Sequence, residues 1–170
     1  MPYPDSCRRV LLLALILLVP SLARALPEDR LAPVEIEADS AEIDQVHQLT
    51  RYRGHVKITQ GSMELEADEV VVEYQGHEAK TITATGQPAR FRQLPAKGKD
   101  WVRGQARRIV YRIDSDLVEL TGQAKLTQNR DSFRSDRILY DRKAARLKAG
   151  SAAGGKQRVK VILHPGNARR

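Results

Sequence analysis

The chain has 170 residues and a formal net charge of +8, which fits one domain and favours an anionic partner or surface. Its single cysteine excludes a disulfide framework. Aromatics make up only 5% of the residues, so the apolar set is mostly Val, Ile, Leu and Ala.

Arg8 and Arg9 precede an uninterrupted apolar run over residues 10–19, which Pro20 ends. Ala23-Arg24-Ala25 then places small residues at both positions a signal peptidase reads. The apolar run is too short for a membrane-spanning helix, which needs about 20 residues. The layout predicts an export signal at residues 1–25, cleaved after Ala25 with loss of Cys7, and a linker at 26–33. An exported protein rarely meets nucleic acid. Phosphorylated lipid or acidic polysaccharide fits the positive charge better.

From Val34 onward the chain alternates apolar and polar residues. Val34, Ile36 and Ala38 come first, then Tyr52, Gly54, Val56 and Ile58. Met63, Leu65 and Ala67 follow, then Val70, Val72 and Tyr74, then Ile109, Tyr111 and Ile113. The pattern continues through Val118-x-Leu120, Ala124-x-Leu126, Ile138-x-Tyr140, Ala145-x-Leu147-x-Ala149 and Val159-x-Val161-x-Leu163. A period of two gives each strand one apolar and one polar face. Turn residues such as Gln60-Gly61-Ser62, Asp114-Ser115-Asp116 and Gln128-Asn129-Arg130-Asp131 separate the runs. The fold class is therefore all-β.

The phase slips at set places: after Ala38-Asp39, between Ala67 and Val70, and between Ala106 and Ile109. An added residue at such a step makes a bulge or corner that keeps the apolar set facing inward. Ala38-Asp39, Ala67-Asp68, Ala106-Arg107 and Ser135-Asp136 recur at a period near 30 residues, stretched once by the polar segment 94–100. Glycine-led strands at Gly54, Gly86 and Gly122 lie between them. This is the mark of one β unit used repeatedly and stacked.

No catalytic constellation is visible. His47, His55, His77 and His164 have no metal-ligand spacing, and Asp114 and Asp116 bracket a turn. Neither a nucleophile elbow nor a phosphate loop is present. The residues predict no enzyme, no metal site and no cofactor. They leave a long, lightly filled apolar interior, which suits either a guest or an ordinary packed core.

Ile36-Glu37-Ala38-Asp39-Ser40-Ala41 leads to Tyr52-Arg53-Gly54-His55-Val56-Lys57-Ile58-Thr59-Gln60-Gly61, and Leu65-Glu66-Ala67-Asp68 follows. Later come Gly122-Gln123-Ala124-Lys125-Leu126-Thr127-Gln128 and Ser135-Asp136-Arg137-Ile138-Leu139-Tyr140-Asp141. In this order and spacing, the strings resemble the OstA-like family of periplasmic lipopolysaccharide-transport proteins over residues 34–163. The polar stretch 94–100 departs from the family pattern. The resemblance implies a half-open, twisted antiparallel β-jellyroll over residues 34–164, with a disordered tail at 165–170. It implies a non-enzymatic periplasmic carrier that binds the acyl chains of lipopolysaccharide in an apolar groove and passes it from inner to outer membrane by head-to-tail assembly. Its partners would be lipopolysaccharide, further copies of itself, and inner-membrane-anchored and outer-membrane proteins of the same fold, with no nucleic acid.

Parity assigns Ile36, Tyr52, Val56, Ile58, Leu65, Phe91, Tyr111, Leu120, Leu126 and Tyr140 to the groove. Arg51, Arg53, Lys57, Arg90, Arg92 and Arg103 are expected near phosphorylated headgroups at its mouth. Stacking in chain order leaves the first and last strands as open edges, marked by Val34 and Ile36 and by Val159, Val161 and Leu163. The glycine-rich segment 150–155 is expected to be a flexible loop. Two other readings stay open on the residues alone. A structural β protein of the envelope would carry no lipid, and a binder of acidic polysaccharide would take sugar without acyl chains.

Overall fold

The structure, a computed structural model, describes residues 32–94, 100–144 and 146–164. The export signal and its cleavage site, most of the linker, the tail 165–170 and most of the stretch 94–100 lie outside the described residues. The strands are β1 (Glu35–Glu37), β2 (Ser40–Asp44), β3 (Leu49–Gln60), β4 (Met63–Gln75) and β5 (Glu78–Gln93). They continue with β6 (Val102–Arg112), β7 (Leu117–Gln128), β8 (Asp131–Asp141), β9 (Arg146–Ala149) and β10 (Lys160–Ile162). All ten belong to one antiparallel sheet in the order β1-β3-β4-β5-β6-β7-β8-β10, with β2 also on β3 and β9 also on β8. No α-helix occurs among the described residues.

Each long strand crosses a corner that divides the sheet into two leaves. β2 and β9 border the first leaf, and β1 and β10 border the second. Register shifts recur at the corner: 53–56 against 67–69, 85–89 against 106–108, and 121–124 against 135–137. These are the steps where the apolar phase slips. The excess residues sit on the glycine-led strands, so Tyr52 and Val56 are separated by a bulge at Gly54-His55 rather than by plain alternation.

Gly54 shows why glycine leads these strands. Its φ is +78°, and a Cβ there would collide with the Asp39 carboxylate. Asp39 closes the corner from the edge: its N–H donates to Gly54 O at 3.0 Å, and its Oδ2 meets His55 Nδ1 at 2.8 Å. The same plan recurs with Arg107 packed over Gly122. At the far edge Asp136 Oδ2 accepts the Lys156 N–H at 2.7 Å. That hydrogen bond corrects one expectation. Segment 150–155 is an ordered 3-10 turn (Gly150–Ala153) in which Gly155 N–H donates to Gly150 O at 2.7 Å and Ala153 is buried.

The corner also decides which side chains fit where. Next to it, where the leaves converge, the second leaf carries Val56, Ala67, Ala89, Ala106 and Ala124. One step out, an unbroken row crosses the whole leaf: Ile36, Ile58, Leu65, Phe91, Gly104, Leu126, Phe133 and Val161. The matching first-leaf row is Ala41, Tyr52, Val70, Ala84, Ile109, Leu120, Ile138 and Ala149. The inner faces of both leaves join in one core, in which Val70, Leu120 and Ile138 have no exposed surface. On the second leaf, small residues stand next to the corner and larger ones beyond it.

Candidate functional site

Between the leaves, from the second row outward, lies a partly open cavity of about 100 Å³. The second leaf contributes Ile58, Met63, Leu65 and Phe91, with Gln60 and Gln93 at its end. The first leaf contributes Ile82, Ala84, Ile109, Tyr111 and Val118, and Arg142 reaches in from the turn after β8. Phe91 lies across the wall because its partner in the ladder is Gly104, where any Cβ would overlap the ring.

The two walls differ chemically. The half-buried aromatics of the second leaf are Phe91 and Phe133, while those of the first are Tyr52, Tyr74, Tyr111 and Tyr140. A buried tyrosine needs a partner for its hydroxyl. Tyr111 Oη donates to Asp116 Oδ1 at 2.9 Å, and Arg142 Nη1 lies 3.4 Å from that same oxygen. The Arg142 guanidinium also sits 5.3 Å from the Tyr111 ring centre, and the Arg142 backbone N–H donates to Asp116 O at 3.0 Å. Burial raises the phenol pKa of Tyr140, with Arg142 opposing and Asp116 adding to the rise. Tyr52 is raised by burial and then by Tyr74. One wall is thus apolar up to the two glutamines at its end, and the other carries the Tyr111 hydroxyl and one cation. Such a site can hold an amphiphile. Among the described residues, no three His, Cys, Asp or Glu gather as they would around a metal ion.

All ten residues assigned to the groove lie on the inner face, in four different settings. Ile58, Leu65, Phe91 and Tyr111 line the cavity. Val56, Leu120 and Leu126 are closed in by neighbours, at 1%, 0% and 1% exposure, and serve as plain core. Tyr52 and Tyr140 are half-buried beside it, and Ile36 is exposed on the edge strand. The cations differ from expectation. Arg51, Arg53, Lys57, Arg90, Arg92 and Arg103 are all out of phase with the inward set, so they project from the outer faces and none lines the cavity. Several are engaged there: Arg51 and Arg53 with Glu42 and Glu69, and Arg92 with Glu64 at 2.8 Å.

Among the edge markers, Val34 lies just outside β1, and Val159 and Leu163 just outside β10; both strands are shorter than expected. Val34, Ile36, Val159, Val161 and Leu163 are all exposed. The residue that sequence reasoning missed is Arg142. It sits in a turn and reaches the cavity through Asp116 in another turn, so no local pattern announces it. Met63 and Ile82 were within reach, since both keep the inward phase.

A family described as LptA/(LptD N-terminal domain) LPS transport protein matches residues 35–146. The chain belongs to this family. Among its relatives, the lipopolysaccharide export system protein LptH of Pseudomonas aeruginosa is 34% identical over 151 residues, covering 85% of this chain and 86% of the relative. The lipopolysaccharide export system protein LptA of Escherichia coli is 36% identical over 158 residues, covering 91% and 84%. The crystal structure of LptH, described as the LptA-homologous periplasmic component of the lipopolysaccharide transport device of P. aeruginosa, superposes with a TM-score of 0.74 at 31% identity. It covers 82% of this chain and all of that one. Membership of the LptA family agrees with the resemblance read from the corner strings, and the open antiparallel sheet is the fold expected.

Proposed function

We propose that this LptA-family chain is a periplasmic, non-enzymatic carrier that holds the acyl chains of lipopolysaccharide between its two leaves. The observation that carries the reading is the apolar cavity between the leaves. Burying a CH₂ is worth about 0.8 kcal/mol, so a fatty chain left in water costs on the order of 10 kcal/mol. A carrier must cover such chains throughout transit. A wall of Ile58, Met63, Leu65 and Phe91 does so without polar anchors that would fix one tail geometry. The opposite rim supplies Arg142 and Tyr111 for the phosphorylated end. At about 100 Å³ the cavity is smaller than the ~300–1,000 Å³ of typical ligand pockets. Uptake therefore parts the leaf tips, while the closed roots at Val70, Leu120 and Ile138 hold the fold.

The reading includes export through residues 1–25, cleavage after Ala25, and a transport domain over 34–164. It also includes head-to-tail assembly with further copies and with inner- and outer-membrane partners of the same fold. The exposed apolar residues flanking β1 and β10 support the assembly: Val34 is 54% and Leu163 65% exposed, each beside a strand at the end of the ladder. Such edges add a strand from a neighbour. The test is to purify the protein from its own envelope and identify bound lipid by mass spectrometry. Lipopolysaccharide at near one per chain is expected. Protein recovered free of lipid would overturn the carrier reading in favour of an envelope scaffold.

A further inference from the structure

On the outer face of the second leaf, Lys125 stands directly opposite Arg134, and Arg134 directly opposite Lys160, on the neighbouring strands β7, β8 and β10. One row away, Arg103 faces Arg92. Directly opposed like charges destabilise a sheet. Adjacent strands are about 4.8 Å apart, well inside the ~8 Å screening length of physiological salt, so these cations repel one another. Arg92 is neutralised by Glu64. Arg103, Lys125, Arg134 and Lys160 have no acidic side chain within ion-pair distance among the described residues. The nearby acids are committed elsewhere: Asp136 to the Lys156 N–H, and Asp131 to the His164 N–H. The row carries a cost that nothing among the described residues offsets.

An amphipathic group and an apolar one flank the same face. Trp101 packs against Arg92 and Arg103, 5.4 and 5.9 Å from the guanidinium carbons. Ile162 pairs with Ser132, projects to the same side as Lys160, and is 41% exposed. A soluble polyanion would neutralise the cations but leave these apolar groups in water. A bilayer surface takes both, with indole at the headgroup level and basic side chains against anionic lipid. We propose that the outer face of the second leaf docks on an anionic lipid bilayer, so that the carrier rests flat against a membrane while its cavity stays free. The proposal does not depend on what occupies the cavity.

The test uses exported protein recovered from periplasmic extract and vesicles that contain no lipopolysaccharide. Trp101 is the only tryptophan and reports directly. With phosphatidylethanolamine–phosphatidylglycerol vesicles, the protein should co-float and its emission should move to shorter wavelength. Binding should fall at least tenfold with phosphatidylcholine vesicles or in 0.5 M salt. Lys125→Gln with Arg134→Gln should lose at least tenfold. Arg108→Gln with Lys148→Gln, an equal charge change on the outer face of the first leaf, should change binding less than twofold. Thermal melts check that both variants are folded. Equal loss in the two variants would make binding a matter of net charge and overturn the site. So would co-flotation without a Trp101 shift, binding of polyphosphate but not of vesicles, or a salt-sensitive dimer in place of vesicle binding.

Discussion

The two leaves share the same long strands, yet they are different surfaces. On the outside of the first leaf several cations find partners within the chain. Arg53 bridges Glu42 and Glu69 at 3.1 and 3.0 Å, and Glu119 receives Arg112 and Arg137 at 3.1 and 2.9 Å. On the outside of the second leaf, Lys125, Arg134 and Lys160 face one another. Inside, the first leaf caps its aromatics with hydroxyls and with the Asp116–Arg142 pair, while the second offers bare phenyl rings. The first leaf pairs several of its outer cations within itself, although Arg108 and Lys148 stand outside those pairs. The second leaves hydrocarbon on one face and charge on the other for something else to satisfy, and an amphiphile together with an anionic surface would do so.

The largest effect should separate root from tip. Leu120→Ala removes a fully buried side chain from the first-leaf root and should cost about 2–5 kcal/mol in urea unfolding. Phe91→Ala removes a half-buried ring from the cavity wall of the second leaf. It should cost less stability than Leu120→Ala and weaken lipopolysaccharide binding more. Equal stability losses would mean that the tip is core like the root, and the division would fail.

The fold was largely legible in the sequence, and the division of labour was not. The corner could be read because it needs a phase slip, and a slip leaves a mark: Ala67 to Val70 and Ala106 to Ile109 break the period of two. The inward set follows from the same arithmetic. Parity says which face a residue is on and nothing about its depth. It therefore could not tell Phe91, which lines the open cavity, from Leu120 or Leu126, closed in by their neighbours. It also placed the cations on the polar face and left open which leaf they occupy and whom they meet. Arg92 finds Glu64 across a strand pair far apart in sequence, and Lys125 finds Arg134 and Lys160. Arg142 was out of reach altogether, because its place depends on two turns meeting.

A smaller effect should come from the outer faces. Glu119 is only 13% exposed and holds two guanidinium groups, so Glu119→Gln should cost about 1–2 kcal/mol, between the surface and buried ion-pair regimes. Lys125→Gln relieves an opposed like-charge pair and should leave stability unchanged or raise it by about 0.3 kcal/mol. A loss in both variants of similar size would erase the contrast between the leaves.

The smallest effect concerns the corner between the leaves. His55 has its pKa raised, first by its hydrogen bond to Asp39 and then by that carboxylate's charge. Protonation is thus favoured in the folded state. The contribution is fully present below the ordinary histidine pKa of about 6.5 and is lost as pH rises through the raised value. Thermal melts at pH 5.5 and 8 should show a small decline for the native chain. The decline should vanish in His55→Gln, which places at this corner the residue that Gln123 already provides, at positive φ, at another. An unchanged pH dependence in that variant would assign the decline to other groups.

The central claim, that lipid lies between the leaves, is tested most directly by photocrosslinking from paired positions in cells. A photoreactive residue at Leu65, Phe91 or Tyr111 should capture lipopolysaccharide. The same residue at Lys57 or Arg108, on the outer faces of the same strands or their neighbours, should not. Capture confined to the inner positions is the expected result, and equal capture from both sides of the sheet would contradict the account.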